Sequence, residues 1–320
     1  MHVGIMLNPD TTGTDVAGGF DRLLSRAQLA ETEGYSSAWI GESHFSPDRP
    51  EPVPAVFGGA LSAETESIRL GVMVKLALEH PVKIAEDVAV LDIMSGGRVM
   101  FGADPGANDG ETAGYGVPAP EQRSRFTEAL DIIVNAWTSD AFAYLGAHHT
   151  LPVKTRVAAV AGAPYVPEPY AAPYVDPWQR VDQPFDYLSV LPKPVQIPHP
   201  PVFVRVVDDD AAALAAGKGY SPVFGAELSV DEVGARAQGF WRALEAAGRD
   251  RSEVCLTVER DVQMTEEAEV DGVLHGLKQL QQEAGYGQIL CRFDLPGVAP
   301  EAAERSLKMF AAEIRPRLEM

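Results

Sequence analysis

The sequence predicts an α/β fold, a single (β/α)8 TIM-type barrel over residues 1–320 with a long Pro- and Tyr-rich insertion before the fifth barrel strand. Three observations predict it. Residues 71–106 read as strand, helix, strand. Short apolar runs alternate with helical repeats eight times, which is the (β/α)8 count. The turn after the first strand, LNPDTTG, is not the Gly-rich dinucleotide turn that the runner-up, a doubly wound open sheet, would carry.

The unit at 71–106 is the clearest. Gly71–Leu76 is an apolar run too short for a helix. His80-Pro81 opens a helix, with proline at a position that tolerates a missing N–H. Ile84, Val88, Leu91 and Ile93/Met94 give that helix an apolar face. Ser95-Gly96-Gly97 stops it, because glycine takes the left-handed conformation that follows a helix. Arg98–Gly102 is the next strand. Two parallel strands joined by a right-handed crossover follow from this order.

The other elements follow in sequence. Val3–Leu7 is a strand and Phe20–Glu33 a helix closed by Gly34. Ser37–Gly41 is the second strand, and a helix lies near Val56–Thr65. Ile68–Leu76 and Val99–Gly102 are the third and fourth strands. Gln122–Thr138 is a helix with Phe126, Leu130, Ile133, Val134 and Trp137 inward. From 139 to 199 the periodicity is lost, and Ala, Pro and Tyr dominate APYVPEPYAAPYVDPW at 163–178. So long a connection is a functional lid or disordered. Its tyrosines and Trp178 favour a lid or a subunit contact. Phe185–Leu191 reads as a strand or the lid's return. Alternation then resumes with strands at Val202–Val206, Tyr220–Phe224, Val254–Val262 and Gln288–Phe293. The helices between and after them are Ala211–Gly217, Val230–Ala247, Glu266–Gly285 and Pro300–Pro316.

The formal net charge of −20 argues against nucleic acid and anionic membranes as partners. No run reaches the roughly 18 apolar residues of a membrane span. MHVGIMLNPD lacks the basic start and long apolar stretch of a signal peptide. The expected location is cytoplasmic. Cys255 and Cys291 sit in expected strands and read as buried thiols rather than a disulfide or metal site. His148-His149 lacks a third ligand at useful spacing, so no metal is expected there.

In such a barrel active groups sit just past the C-terminal ends of the strands. The qualifying positions are Asn8 and Asp10, Glu42 and His44, Lys75 and Leu76, Asp104–Asn108, Asp208–Asp210, Glu259–Asp261 and Arg292–Asp294. His44 is the best single candidate, since imidazole holds or moves a proton near neutral pH. The alternative is a histidine hydrogen-bonded at a strand end.

Several stretches carry a family resemblance. His80-Pro81, then AED, then LD, then Ser-Gly-Gly-Arg before a strand ending in Phe101-Gly102 resembles the bacterial luciferase-like flavin-dependent monooxygenases. WIGESHF at 39–45, LPKPVQIPHPPVFV at 191–204 and ILCRFDLPG at 289–297 agree with it. The resemblance implies a monooxygenase using reduced FMN and O2, through a flavin C4a-peroxide, on a small organic or secondary-metabolite substrate. It implies His44 as a base near the flavin, with Asp104 shielding and protonating. It implies a non-prolyl cis peptide at Met73-Val74-Lys75 supporting the flavin ring. Flavin contacts would also come from Ala103, Gly106 and Asn108 after the fourth strand, and from Arg205, Val207 and Asp208 after the fifth. A separate flavin reductase and a homodimer are implied as partners, and a deazaflavin is a variant cofactor.

The phosphate side departs from the family pattern. Where the family often carries an arginine after the fourth strand, this chain has Asp104-Pro105. Where it carries Ser/Thr at the next helix start, this chain has VVDDDAAA. Asp208 or Asp209 makes a good N-cap, but three carboxylates repel a phosphate at the helix end that would attract it. Arg205 would compensate if it faced inward; Arg123 and Arg125 would reach a phosphate or remain surface charges. Two alternatives stay open. One is a family member that has lost phosphate or flavin binding and does non-redox acid–base chemistry. The other is a non-catalytic partner subunit.

Overall fold

The computed structural model describes residues 1–8, 16–46, 51–152, 187–264 and 266–319. Eight parallel strands close a barrel. They are β1 (His2–Leu7), β2 (Ser37–Ile40), β3 (Arg69–Lys75), β4 (Val99–Asp104), β7 (Val202–Arg205), β8 (Ser221–Phe224), β9 (Thr257–Asp261) and β10 (Gln288–Arg292). Their order is β1-β10-β9-β8-β7-β4-β3-β2, so β2 closes on β1. The chain between β4 and β7 carries a small antiparallel hairpin, β5 (Tyr144–Leu145) and β6 (Thr150–Leu151).

The barrel strands are buried on both faces, which is why they read as continuous apolar runs rather than alternating ones. One set of side chains faces the helices. The other fills the interior: Met6, Trp39, Met73, Met100, Phe203, Val223 and Leu290 form a separate cluster. Trp39 is its largest member, edge-on to Phe203 with ring centroids 5.0 Å apart. Its ring fits because residue 71 is glycine: a Cβ there would lie 1.9 Å from the indole. Below it Ser37 Oγ accepts from Trp39 Nε1 at 3.2 Å and from Gln288 Nε2 at 2.8 Å, so β2 and β10 are tied across the barrel floor.

The helix α3 (Pro81–Met94) begins on proline and ends before Gly96 and Gly97, both at positive φ. Arg98 explains the rest of the Ser-Gly-Gly-Arg motif. Its guanidinium donates to the carbonyls of Ser62, Thr65, Ile68 and Ser95. It thereby locks the end of α2 (Pro54–Glu64) to the turn between α3 and β4.

Several expectations change. The strand expected at Val254–Val262 is shorter, Thr257–Asp261, because the Val254 N–H turns back to the Arg251 carbonyl and the Cys255 N–H bonds to the Ser221 hydroxyl instead of joining the ladder. A short helix α4 (Asp109–Gly114) precedes α5 (Gln122–Thr138). The non-prolyl cis peptide is not present at Met73-Val74-Lys75. Those residues pair in unbroken register with Gly102, Ala103 and Asp104, a ladder that needs trans bonds. The cis bonds among the described residues precede Pro152, Pro192 and Pro198.

The described parts of the insertion are 139–152 and 187–199. They run along α5 and under β4. Glu128 of α5 accepts from the N–H groups of Ala147, His148 and His149. Phe142 and Leu188 exchange backbone hydrogen bonds, which makes 187–191 the return limb. Lys193 donates to the carbonyls of Ala136 and Ser139, and Gln196 to Asp92 and Val99. Of the 139–199 stretch expected to act as a lid, residues 153–186, which include the Pro- and Tyr-rich part, lie outside the described residues.

Later helices are α6 (Asp209–Lys218), α7 (Val230–Ala246), α8 (Val270–Ala284), α9 (Pro300–Met309) and α10 (Arg315–Glu319). None among the described residues is long and apolar enough to cross a membrane.

The tight seat of Trp39 gives a direct test. Gly71→Ala should destabilise the protein by about 3 kcal/mol through overpacking, read from the midpoint of urea unfolding. A Gly59→Ala control, whose added Cβ meets nothing within 4 Å, should not.

Candidate active site

Alternation along the strands decides what enters the mouth, because neighbouring side chains point to opposite faces. On β3, Met73 and Lys75 face inward and Val74 outward. On β4, Asp104 faces inward and Ala103 outward. Phe203 and Arg205 on β7 and Leu290 and Arg292 on β10 repeat the pattern, apolar in the barrel and charged one step higher. The result is a cavity of about 320 Å³ above the apolar plug, with Met6 and Met73 as its floor. Asn8, Glu42, Lys75, Asp104, Arg205, Glu259 and Arg292 form its inner wall. That volume is at the low end of the ~300–1,000 Å³ usual for ligand pockets.

The charges pair around the ring. Arg205 lies between two carboxylates, with Nη2 2.5 Å from Glu259 Oε1 and Nε 3.3 Å from Asp104 Oδ2. Burial works against its charge, but Glu259 and Asp104 outweigh that and raise its pKa. Burial raises the Asp104 carboxyl, outweighing Arg205 and the Gly106 N–H bonded to it at 2.7 Å. Arg292 pairs with Asp261 at the rim.

On the other side Lys75 Nζ donates to Glu111 Oε1 at 2.6 Å and Oε2 at 2.5 Å. Glu111 also accepts from the backbone N–H of His44 at 3.0 Å and of Asn108 at 2.9 Å. Burial pushes the Glu111 carboxyl up, but Lys75 and the two N–H groups outweigh it and hold it below the usual range. Asn108 and Glu111 form the capping box that starts α4.

His44 is buried and lies behind Glu42, not on the cavity wall. Its Nε2 is 2.6 Å from Glu42 Oε1 and its Nδ1 3.0 Å from the Tyr115 hydroxyl. Glu42 Oε2 accepts from the Lys75 N–H at 2.7 Å. With its proton on Nε2, the imidazole donates to Glu42 and accepts from Tyr115 on Nδ1; with it on Nδ1, the roles reverse.

Of the expected site residues, Met73, Lys75, Asp104, Gly106, Asn108, Arg205 and Val207 line the cavity. Val74 and Ala103 do not; one-residue alternation turns them to the helical layer. Asp208 does not either. It caps α6, accepting from the Ala211 N–H at 2.9 Å, and its other oxygen pairs with Arg123 of α5. Arg205 faces inward as a compensating arginine would, but its charge is spent on Asp104 and Glu259. Asp10 lies outside the described residues. Sequence reasoning missed Glu51, Glu111 and Glu227, which also line the cavity. Only Glu111 left a signal, the Asn108-x-x-Glu111 capping pattern. His148 and His149 bond to Ser124 and Glu128 on the outer surface of α5.

Comparison with known proteins follows from this geometry. The family model of the luciferase-like monooxygenases matches residues 1–281. The oxygenase component of a flavin-dependent trigonelline monooxygenase from Acinetobacter baylyi is 25% identical over 203 residues, 62% of this chain and 47% of that protein. A monooxygenase from Streptomyces bottropensis has the same fold, with a TM-score of 0.82 at 19% identity over 99% of this chain and 100% of its own. The oxygenating constituent of the 3,6-diketocamphane monooxygenase of Pseudomonas putida, solved with FMN, aligns with a TM-score of 0.74 at 18% identity over 99% and 98% of the two chains. The chain spans about half the length of the curated relatives it matches, between 37% and 56% for the first three.

The buried ion pair is testable by itself. Glu111→Gln leaves the Lys75 ammonium without its counter-charge and should cost about 3 kcal/mol at neutral pH. Glu111 has a depressed folded pKa, so its contribution is present above the ordinary value of 4.5 and is lost as pH falls below it. The gap between wild type and variant, read by chemical denaturation, should therefore narrow from pH 5 towards pH 3.

Proposed function

The chain belongs to the luciferase-like monooxygenase family, and from that premise we propose that it is a flavin-dependent monooxygenase. It would take reduced FMN from a separate reductase and insert one atom of O2 into a small organic substrate. The observation that carries the reading is the cavity at the C-terminal mouth of the barrel, where thioethers form the floor and charged and amide side chains the wall.

The residues fit a flavin unequally. At the ring end the fit is good. Met6 and Met73 offer a flat, polarisable floor. Asn8 Nδ2 is buried without a partner among the described residues and supplies a donor. At the phosphate end the fit is poor. The α6 N-terminus already has its N–H capped by Asp208, and Asp209 and Asp210 occupy its first turn. Arg123 stands there as the cation, held by Asp208. Phosphate would have to displace Asp208 from it. Weak resting affinity suits a flavin that arrives reduced and leaves oxidised. A deazaflavin's phosphodiester meets the same carboxylates.

When bound, a reduced flavin supplies the two electrons that activate dioxygen. The chain's own work is local. Met6 and Met73 would support the bound group, Asn8 would orient it, and Asp104, raised by burial, would give or take a proton at the cavity wall. Arg205 keeps Asp104 and Glu259 in place. The carboxylates at α6 favour a second reading, in which no flavin is used and Asp104 and Glu42 act as acid and base in a non-redox step.

We also propose a homodimer. Val90, Ile93 and Met94 lie exposed along α3, and Val56 along the neighbouring α2. An apolar stripe of this kind is typical of a covered surface. Sedimentation velocity should give a dimer, and Met94→Glu should shift it to monomer.

Anaerobic calorimetry with reduced FMN, oxidised FMN and riboflavin tests the cofactor. Micromolar binding of reduced FMN, tighter than riboflavin and reduced to riboflavin's level by Arg123→Ala, is expected. Absence of binding by all three would leave the non-redox reading.

A further inference from the structure

The cavity lies above the apolar plug of the barrel, and a monooxygenation that starts from an anionic reduced flavin takes up one proton for the water it releases, so a proton has to be delivered to the cavity in each turnover. Two hydrogen bonds lead out of it. Glu42 lines the cavity and its Oε1 is 2.6 Å from His44 Nε2. His44 Nδ1 is 3.0 Å from the Tyr115 hydroxyl. Glu42 and His44 are buried, while Tyr115 is 39% exposed. Both nitrogens of one imidazole therefore join a cavity carboxylate to a solvent-facing phenol.

We propose that Glu42 is the cavity's proton carrier, and that His44 and Tyr115 form the path by which it exchanges protons with solvent. Its use in turnover rests on the oxygenase reading; the path does not.

The transfer balances as follows. At rest Tyr115 donates O–H to Nδ1, and Nε2–H donates to the Glu42 carboxylate. A proton moves from Tyr115 to Nδ1 while Nε2–H passes to Glu42 Oε1. Tyr115 takes a replacement from water. The net change is one solvent proton on Glu42, with the imidazole left as its Nδ1–H tautomer. The reverse shift restores it, and no electrons move.

The surroundings hold the path in line. The His44 N–H is anchored on Glu111, and the Lys75 N–H on the second oxygen of Glu42. Phe45 has φ +56, an uncommon conformation for a bulky residue, and its ring packs beside those of His44 and Tyr115. The charged and titratable groups that face the path are Glu42, Lys75, Glu79, Glu111 and Tyr115. Burial raises the Tyr115 phenol, and Glu42, Glu79 and Glu111 add to that, so it stays protonated as a donor. A purely structural His44 would need one good partner. This one has a partner on each nitrogen, leading in opposite directions.

The test is exchange of the His44 Nε2–H with water, followed by NMR on protein labelled with 15N-histidine. Loss of the signal in His44→Gln assigns it. Tyr115→Phe removes only the hydroxyl and keeps the ring packing. Exchange at least tenfold slower in Tyr115→Phe supports the path; an unchanged rate overturns it. If Tyr115→Phe does not fold, 3-fluorotyrosine incorporated into the wild-type chain serves instead. Its more acidic phenol should speed exchange, and an unchanged rate again overturns the path. Flavin binding is scored separately by the calorimetry above. Slowed exchange without flavin binding would retire the oxygenase and keep the path. Flavin binding with unslowed exchange would do the opposite.

Discussion

One buried carboxylate organises the open end of this barrel. Glu111 accepts from the Lys75 ammonium, from the backbone of His44 and from the backbone of Asn108. Three separate segments, the ends of β2 and β3 and the start of α4, therefore meet at one group. A lysine at the top of a barrel strand is costly without a counter-charge. Glu111 removes that cost, and in doing so sets the backbone from which His44 reaches both Glu42 and Tyr115.

The opposite side of the mouth follows the same rule with the sign reversed. There an arginine, Arg205, is the central ion and two carboxylates hold it. Lys75 and Arg205 are both committed to partners inside the protein. Anionic ligands thus meet a cavity whose cations are already neutralised. At the α6 N-terminus the cation is Arg123, paired with Asp208 beside a helix whose first turn is acidic.

Much of the fold was legible in the chain. The βαβ unit at 71–106, the eight alternations, the helix stops at Gly96-Gly97 and the N-cap role of Asp208 all rest on local rules of periodicity and backbone conformation. Inward Lys75 and Asp104 agree with their positions at strand ends. Val74 and Ala103 show the limit: a strand end can be located to within a residue, but one residue is enough to turn a side chain from the cavity to the helical layer.

What the sequence determined by itself was the barrel, the strand-end residues that gather at its mouth, and the acidic character of that mouth. Tertiary structure alone decided that His44 stands behind Glu42, that Arg205 is consumed by Asp104 and Glu259, and that Glu111 holds Lys75. The physical reason is range. Periodicity and capping act over a few residues along one element. These contacts join residues far apart in the chain, and they exist only because closing the barrel brings all the strand ends to one rim.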